Sequence, residues 1–216
     1  GNMSSAIGPF AVDEGLVQTP SDGEAQVRIY NTNTRKIIVS RFRVRGGIAE
    51  VIGDMALDGV AGTGAPIRLE FVDPGGAGTG RLLPSGAIVD RLAVPGLGPV
   101  EASMVDAANP CVFVHADAVG KAGTELPDHL DADTRFLDHM EAIRRIASVK
   151  MGIAADPEAA GRIPSVPKVA MVAGPKAAVT LAGADLGPDE MDIAVRMISI
   201  GQSHRAVPLT GALCLA

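Results

Sequence analysis

The sequence predicts an α+β fold with antiparallel sheets, on three observations. Residues 25–55 alternate apolar and polar side chains with period two, as half-buried strands do. The 216 residues include 26 glycines and 15 prolines, which favours short elements joined by tight turns over a helical bundle. Only one long stretch, residues 131–152, carries an extended helical pattern, so strands follow one another instead of alternating with helices. The count comes to roughly nine strands, two short helices near the ends and one long helix.

Taken in order, the chain opens "GNMSSAIGPF", where Gly1, Asn2, Ser4 and Ser5 are capping residues ahead of the apolar Ala6, Ile7, Phe10, Ala11 and Val12. A helix is therefore expected from the first few residues. Val27 and Ile29, then Ile37 and Val39, flank the turn residues Asn31 to Thr34 and predict an antiparallel pair. In "RFRVR", Arg41, Arg43 and Arg45 alternate with Phe42 and Val44, which puts the charges on the solvent face of a strand. Gly46-Gly47 makes the next turn before Ile48 to Ile52. Met55 to Gly86 is loop-rich around short strands, and further strands are expected at "AIVDRLAV", "VEASMVDA" and "CVFVHA". The long helix has Asp131 or Asp133 as its cap and a stripe of Phe136, Met140, Ile143 and Ala147. Glu141 and Arg145 pair at i,i+4, and Gly152 closes it. The strands "KVAMVA" and "DIAVRMISI", with the acidic turn "LGPDEM" between them, lead to a final apolar helix beginning near Thr210.

Composition excludes several classes of function. A net charge of −6, no basic cluster and 3% aromatic residues argue against nucleic-acid binding. No apolar run approaches a membrane span, and no signal peptide is visible. Cys111 and Cys214 lie far apart and read as free thiols, with the cytoplasm as the expected compartment.

The glycine-rich "GGAGTGR" (Gly75 to Arg81) lacks the Lys-Ser/Thr of a phosphate loop, and Pro84 prevents a helix from following, so a hairpin or lid loop is the better reading. Cys111 and His115 share one strand face, but no second pair of ligands has metal-site spacing. His129 and His139 belong to the polar side of the long helix region. Cys214 falls on the apolar run of the last helix and reads as core. The two terminal helix starts are more informative. Each joins small hydroxyl, amide or glycine residues to an apolar helix, and His204 and Arg205 precede the second. Free helix N–H groups there suit a carboxylate or phosphate.

The stretches "GNMSSAIGPFAVDEGLV", "VRIYNTNT", "GTGAPIRLEF", "GRLLPSG", "VDAANPCVFV", "GTELP", "EAIRRIASVKMG", "PKVAMV" and "SHRAVPLTGALCLA" resemble, in order, the 2-methylaconitate cis–trans isomerase and methylitaconate isomerase family. Through it the chain is similar to diaminopimelate epimerase, whose fold wraps antiparallel strands around a central helix in each of two similar domains. The resemblance implies that residues 1–50 are the C-terminal part of a first such domain. Residues 51–216 would be the second, ending within its central helix. It implies a proton-transferring isomerase of an unsaturated di- or tricarboxylate that requires no metal, flavin or nicotinamide. The family's proposed acid/base Cys would directly precede Gly1, with a Lys further upstream, so little activity is expected of this stretch by itself, with His204 as a substitute base. Gly1, Asn2, Met3, Ser4 and Ser5 would form one substrate cradle. Ser203, His204, Thr210 and Gly211 would form the other, with Asn109 in a turn like the epimerases' Gly-Asn-Pro-His, where Cys111 replaces the His. A homodimer and an aconitase-like dehydratase are the partners the resemblance leaves room for. A non-catalytic carboxylate-binding accessory protein is the alternative, and a racemase a third reading.

Overall fold

The computed structural model describes residues 3–57 and 60–216, in two compact units, Gly1–Pro74 and Gly75–Ala216. Gly1 and Asn2 lie outside the described residues. The first unit reaches beyond the boundary drawn at residues 50 and 51, because Arg68–Val72 hydrogen-bonds to Lys36–Arg45.

The first unit consists of α1 (Ser4–Asp13), β1 (Gly23–Asn31), β2 (Lys36–Arg45), β3 (Ile48–Ala49) and β4 (Arg68–Val72). Every pairing in its sheet is antiparallel. β2 runs along β1 on one edge and takes β4 and β3 on the other. The alternation behaves as expected. Ala25, Val27, Phe42 and Val44 are buried with Val12 of α1, while Arg41, Arg43 and Arg45 face outward to Glu24, Glu50 and Glu70. The expected first helix is present, but the capping expectation fails. Met3 occupies the N-cap with no side-chain bond, and Ser4 is a buried helical residue.

α1 is held by packing more than by propensity, since Pro9 inside it has no N–H to give the Ser5 carbonyl. Ser4, Gly8 and Val12 form its buried stripe. Gly8 lets it approach the sheet: a β-carbon there would lie 2.5 Å from Ser40 Oγ and 2.8 Å from Ser40 Cβ. Ser40 is fully buried and short, so it has nowhere to move. Gly8→Ala is therefore expected to cost about 1–3 kcal/mol by overpacking, although alanine favours helices. Urea denaturation of the two chains reads the difference, and an unchanged or raised midpoint would refute the close approach.

The second unit begins with the loop containing the glycine-rich stretch. Then follow β5 (Asp90–Val94), β6 (Gly98–Asp106), β7 (Pro110–His115), a 3-10 turn (Ala116–Val119), α2 (Pro127–Asp131), α3 (Thr134–Lys150), α4 (Pro157–Gly161) and β8 (Lys168–Ala173). A two-stranded ribbon, β9 (Ala178–Val179) with β10 (Asp185–Leu186), precedes a 3-10 turn (Pro188–Glu190), β11 (Ala194–Ser199), β12 (Gln202–Ser203) and α5 (Leu209–Leu215). The six-stranded sheet has the order β12-β11-β8-β7-β6-β5. It corrects the expectation of purely antiparallel sheets, because β7 and β8 are parallel. Parallel neighbours need a crossover, and the helical segment from Ala116 to Gly161 supplies it.

α3 follows its sequence pattern closely. The Asp133 carboxylate accepts the Phe136 N–H at 3.0 Å, and Phe136, Met140, Ile143 and Ala147 are buried. Gly152 has φ +73° and its N–H bonds to the Val149 carbonyl, closing the helix in a left-handed turn. The single-turn helices α2 and α4 carry no periodicity over so few residues, and the sequence reading omits them. α3 covers one face of the sheet through Leu92, Met104, Val112, Val114, Met171 and Ile198. α5 covers the other face through Cys111, Phe113, Ala170, Met197 and Cys214. No described helix is long and apolar enough to cross a membrane.

Candidate functional site

The α5 face of the second unit gathers most of the residues that the sequence singles out. Strand parity decides which side chains reach it. On β7 and β8, Cys111 is the cross-strand partner of Lys168, and both lie on the face of Phe113 and Ala170. His204 extends the β11–β12 ladder, its N–H donating to the Met197 carbonyl at 2.8 Å, so it stands opposite Met197 on this same face. Ser203 does not. It pairs with Ile198, whose side chain packs under α3, and its N–H donates to Asp131 Oδ1 at 2.8 Å. The register therefore removes Ser203 from the cradle expected of it, because successive residues of a strand point to opposite faces.

α5 crosses this face with Gly211 above Met197, where a β-carbon would lie 2.6 Å from the methionine methyl. Thr210 is buried beside it at the helix start, and the Gly211 and Ala212 N–H groups both donate to the Pro208 carbonyl, at 2.8 and 2.9 Å. Cys214, about 6 Å further along the axis, accepts the Ala107 N–H at 3.2 Å and donates to the Asn109 carbonyl at 3.0 Å. Asn109 thus attends the far end of α5, in a turn that holds Ala108 at φ +67°. A non-glycine residue there is uncommon and marks a tightly specified backbone.

The two thiols are free and buried. The Cys111 thiol is pushed up, first by its hydrogen bond with Cys214 and then by burial. Cys214 is held down, first by that same bond and further by the Ala107 N–H, so Cys214 is the thiol that ionises first. Both are core residues, as the sequence indicated for Cys214.

Sequence reasoning missed Lys168. Half-buried on this face, it donates to Ser199 Oγ at 2.8 Å, and burial lowers its pKa. It also acts on His204, whose pKa is lowered first by burial and then by the Lys168 charge. His204 is accordingly neutral near pH 7, and its Nε2 is buried with no partner among the described residues. The signal for Lys168 was a lysine opening the strand "KVAMVA", which by itself reads as an ordinary solvated strand end.

The glycine-rich loop proves to be structural. Gly78 N–H, Thr79 N–H and Thr79 Oγ donate to Asp106 Oδ2 at 2.7, 2.6 and 2.8 Å, so its backbone donors are occupied by a carboxylate of the fold itself. Met3, Ser4 and Ser5 begin α1 in the first unit, Met3 exposed and Ser4 buried. Among the described residues no group of three His, Cys, Asp or Glu side chains could hold a metal ion.

Strands packed on a central helix, α1 in the first unit and α5 in the second, define the diaminopimelate epimerase-like class of α+β fold. Over 99% of its length the chain is 39% identical to a 3-methylitaconate isomerase of Eubacterium barkeri. Over its whole length it is 37% identical to a 2-methyl-aconitate isomerase of Cupriavidus necator. A crystal structure of methylitaconate-delta-isomerase matches it with a TM-score of 0.86 at 39% identity, over 99% of this chain and 55% of that one. The chain belongs to the PrpF protein family, whose model matches residues 1–216. It spans 56% of the length of each of these two relatives.

Proposed function

We propose that the protein is an isomerase that moves a proton on an unsaturated di- or tricarboxylate of the methylitaconate or 2-methylaconitate kind. The observation that carries this reading is the match over residues 1–216 to a family whose relatives are named for these isomerisations. A base takes the carbon-bound proton, the electron pair spreads through the double bond onto the neighbouring carboxylate, and the proton returns at the other end of the allylic system or after rotation. Preorganised donors at the developing carboxylate charge are the largest help such a step can receive.

Within the second unit, Asn109, His204, Thr210 and Gly211 are the residues we assign to the substrate. His204, neutral near pH 7, can donate one ring N–H to the acid. The reaction as written consumes no electrons and needs no redox cofactor. Two buried free thiols fit a reducing compartment, and we place the protein in the cytoplasm.

The test uses the longest chain that the gene encodes, in deuterium oxide with 3-methylitaconate and with 2-methylaconitate, followed by proton NMR. Deuterium entering the allylic positions together with isomer formation is the expected result. Absence of exchange and of isomer with both acids would overturn the reading. A rate for the 216-residue chain within tenfold of the longest chain would place the proton-transfer groups among these residues.

A further inference from the structure

Lys168 differs from the other lysines of its unit by combining burial with the lack of a counter-charge. Lys121 lies 2.7 Å from Asp133, exposed Lys150 lies 3.0 Å from Asp90, and Lys176 donates to the Ala122 carbonyl at 3.0 Å in a solvent-exposed bond. Lys168 has no carboxylate within 4 Å among the described residues, and its one hydrogen bond goes to the neutral hydroxyl of Ser199. An ammonium carries three donors, and a partly buried one that lacks a counter-charge is costly to keep. The same sheet face presents His204, with Nε2 buried and unpartnered. The titratable groups that meet here are Lys168 from β8, His204 beyond β12, Cys111 from β7 and Cys214 from α5, with the Asp106 carboxylate at the end of β6 acting on Cys214. Asp106 is the acid among them, and its Oδ2 is taken by Gly78 and Thr79.

A cation and a buried imidazole edge with no acidic partner complement an anion that has at least two acceptor oxygens. We propose that Lys168 binds one carboxylate of the unsaturated acid and that His204 Nε2 faces the same group. This rests on the isomerase reading and adds to it the residue that recognises the acid. It also gives Lys168 a role in the reaction, since a carboxylate held by an ammonium accepts the charge of the carbanion more readily than a solvated one.

The experiment titrates the 216-residue chain with 3-methylitaconate and 2-methylaconitate, following the His204 ring signals and the Lys168 ammonium by NMR, in wild type and in Lys168→Met and Lys168→Arg. A lost charge-assisted bond corresponds to about a 10- to 100-fold rise in Kd. That rise is expected for Lys168→Met, with most of the affinity restored in Lys168→Arg. The free His204 should also titrate at higher pH in Lys168→Met, because the repelling charge is gone, a change that a purely structural lysine would not produce. If Lys168→Met does not fold, Lys168→Gln makes the same comparison. Equal affinity for wild type and the methionine or glutamine variant would overturn the Lys168 assignment and leave the isomerase reading standing. Should wild type bind neither acid, this assignment falls, while deuterium exchange by the longest chain decides the isomerase reading separately.

Discussion

Replacing Arg144 with leucine should remove about 3–5 kcal/mol of stability from the second unit, the range expected when one partner of a buried ion pair is deleted. Arg144 is only 2% exposed, on the inner side of α3. Its Nε and one terminal nitrogen donate to the two oxygens of Glu141 at 2.6 and 2.8 Å. The other N–H groups reach the carbonyls of Ala160, Ile163 and Val166 at 2.9, 3.0 and 3.2 Å. The guanidinium offers five N–H donors, and each has a geometric partner here. Leucine would leave three carbonyls without these donors and Glu141 with Arg145 alone. Lysine would keep the charge but not the planar fork, so Arg144→Lys should lose most of the same energy. Guanidinium chloride denaturation measures both. A loss below about 1 kcal/mol for leucine would show that the network is replaceable by apolar packing.

The second large effect is expected at Asp106. Its carboxylate holds the loop Gly75–Arg81 through Oδ2, and the Gly76 N–H donates to its main-chain carbonyl at 2.8 Å. Asp106→Ala should cost about 1–3 kcal/mol, since it strands two partly exposed N–H donors and a hydroxyl that were bonded to a buried charge. Asp106→Asn retains an acceptor oxygen and should cost roughly half as much. Limited proteolysis should then cut the loop of the alanine variant well before any site in α3. Equal cleavage of wild type and the alanine variant would mean that the loop does not depend on Asp106.

Parts of this molecule were legible residue by residue. The β1–β2 pair, the outward arginines and α3 with its aspartate cap and glycine stop all follow from local rules: alternation, capping and periodicity act within a few residues of chain. The rejection of a phosphate loop was equally legible, because the missing Lys-Ser/Thr is a local fact. The likeness to isomerases of unsaturated acids also came from residue strings, and family membership agrees with it.

Other features involve partners far apart in the sequence. Asp106 meets Gly78 and Thr79 only because β6 returns beside the loop. Arg144 is buried only because α4 and the segment after it bring three carbonyls over α3. The parallel pairing of β7 with β8 depends on where a long crossover lands. Ser203 and His204 are adjacent in the chain and similar in sequence value, yet the β11–β12 register sends one under α3 and the other towards α5. Lys168 is the clearest case. Nothing in "PKVAMV" distinguishes it from a solvated lysine; its missing counter-charge shows only once Ser199, Cys111 and His204 are assembled around it. Local residue patterns determined the elements and the family. The side chains that meet at the site were decided by tertiary structure, because burial and pairing are properties of neighbours in space.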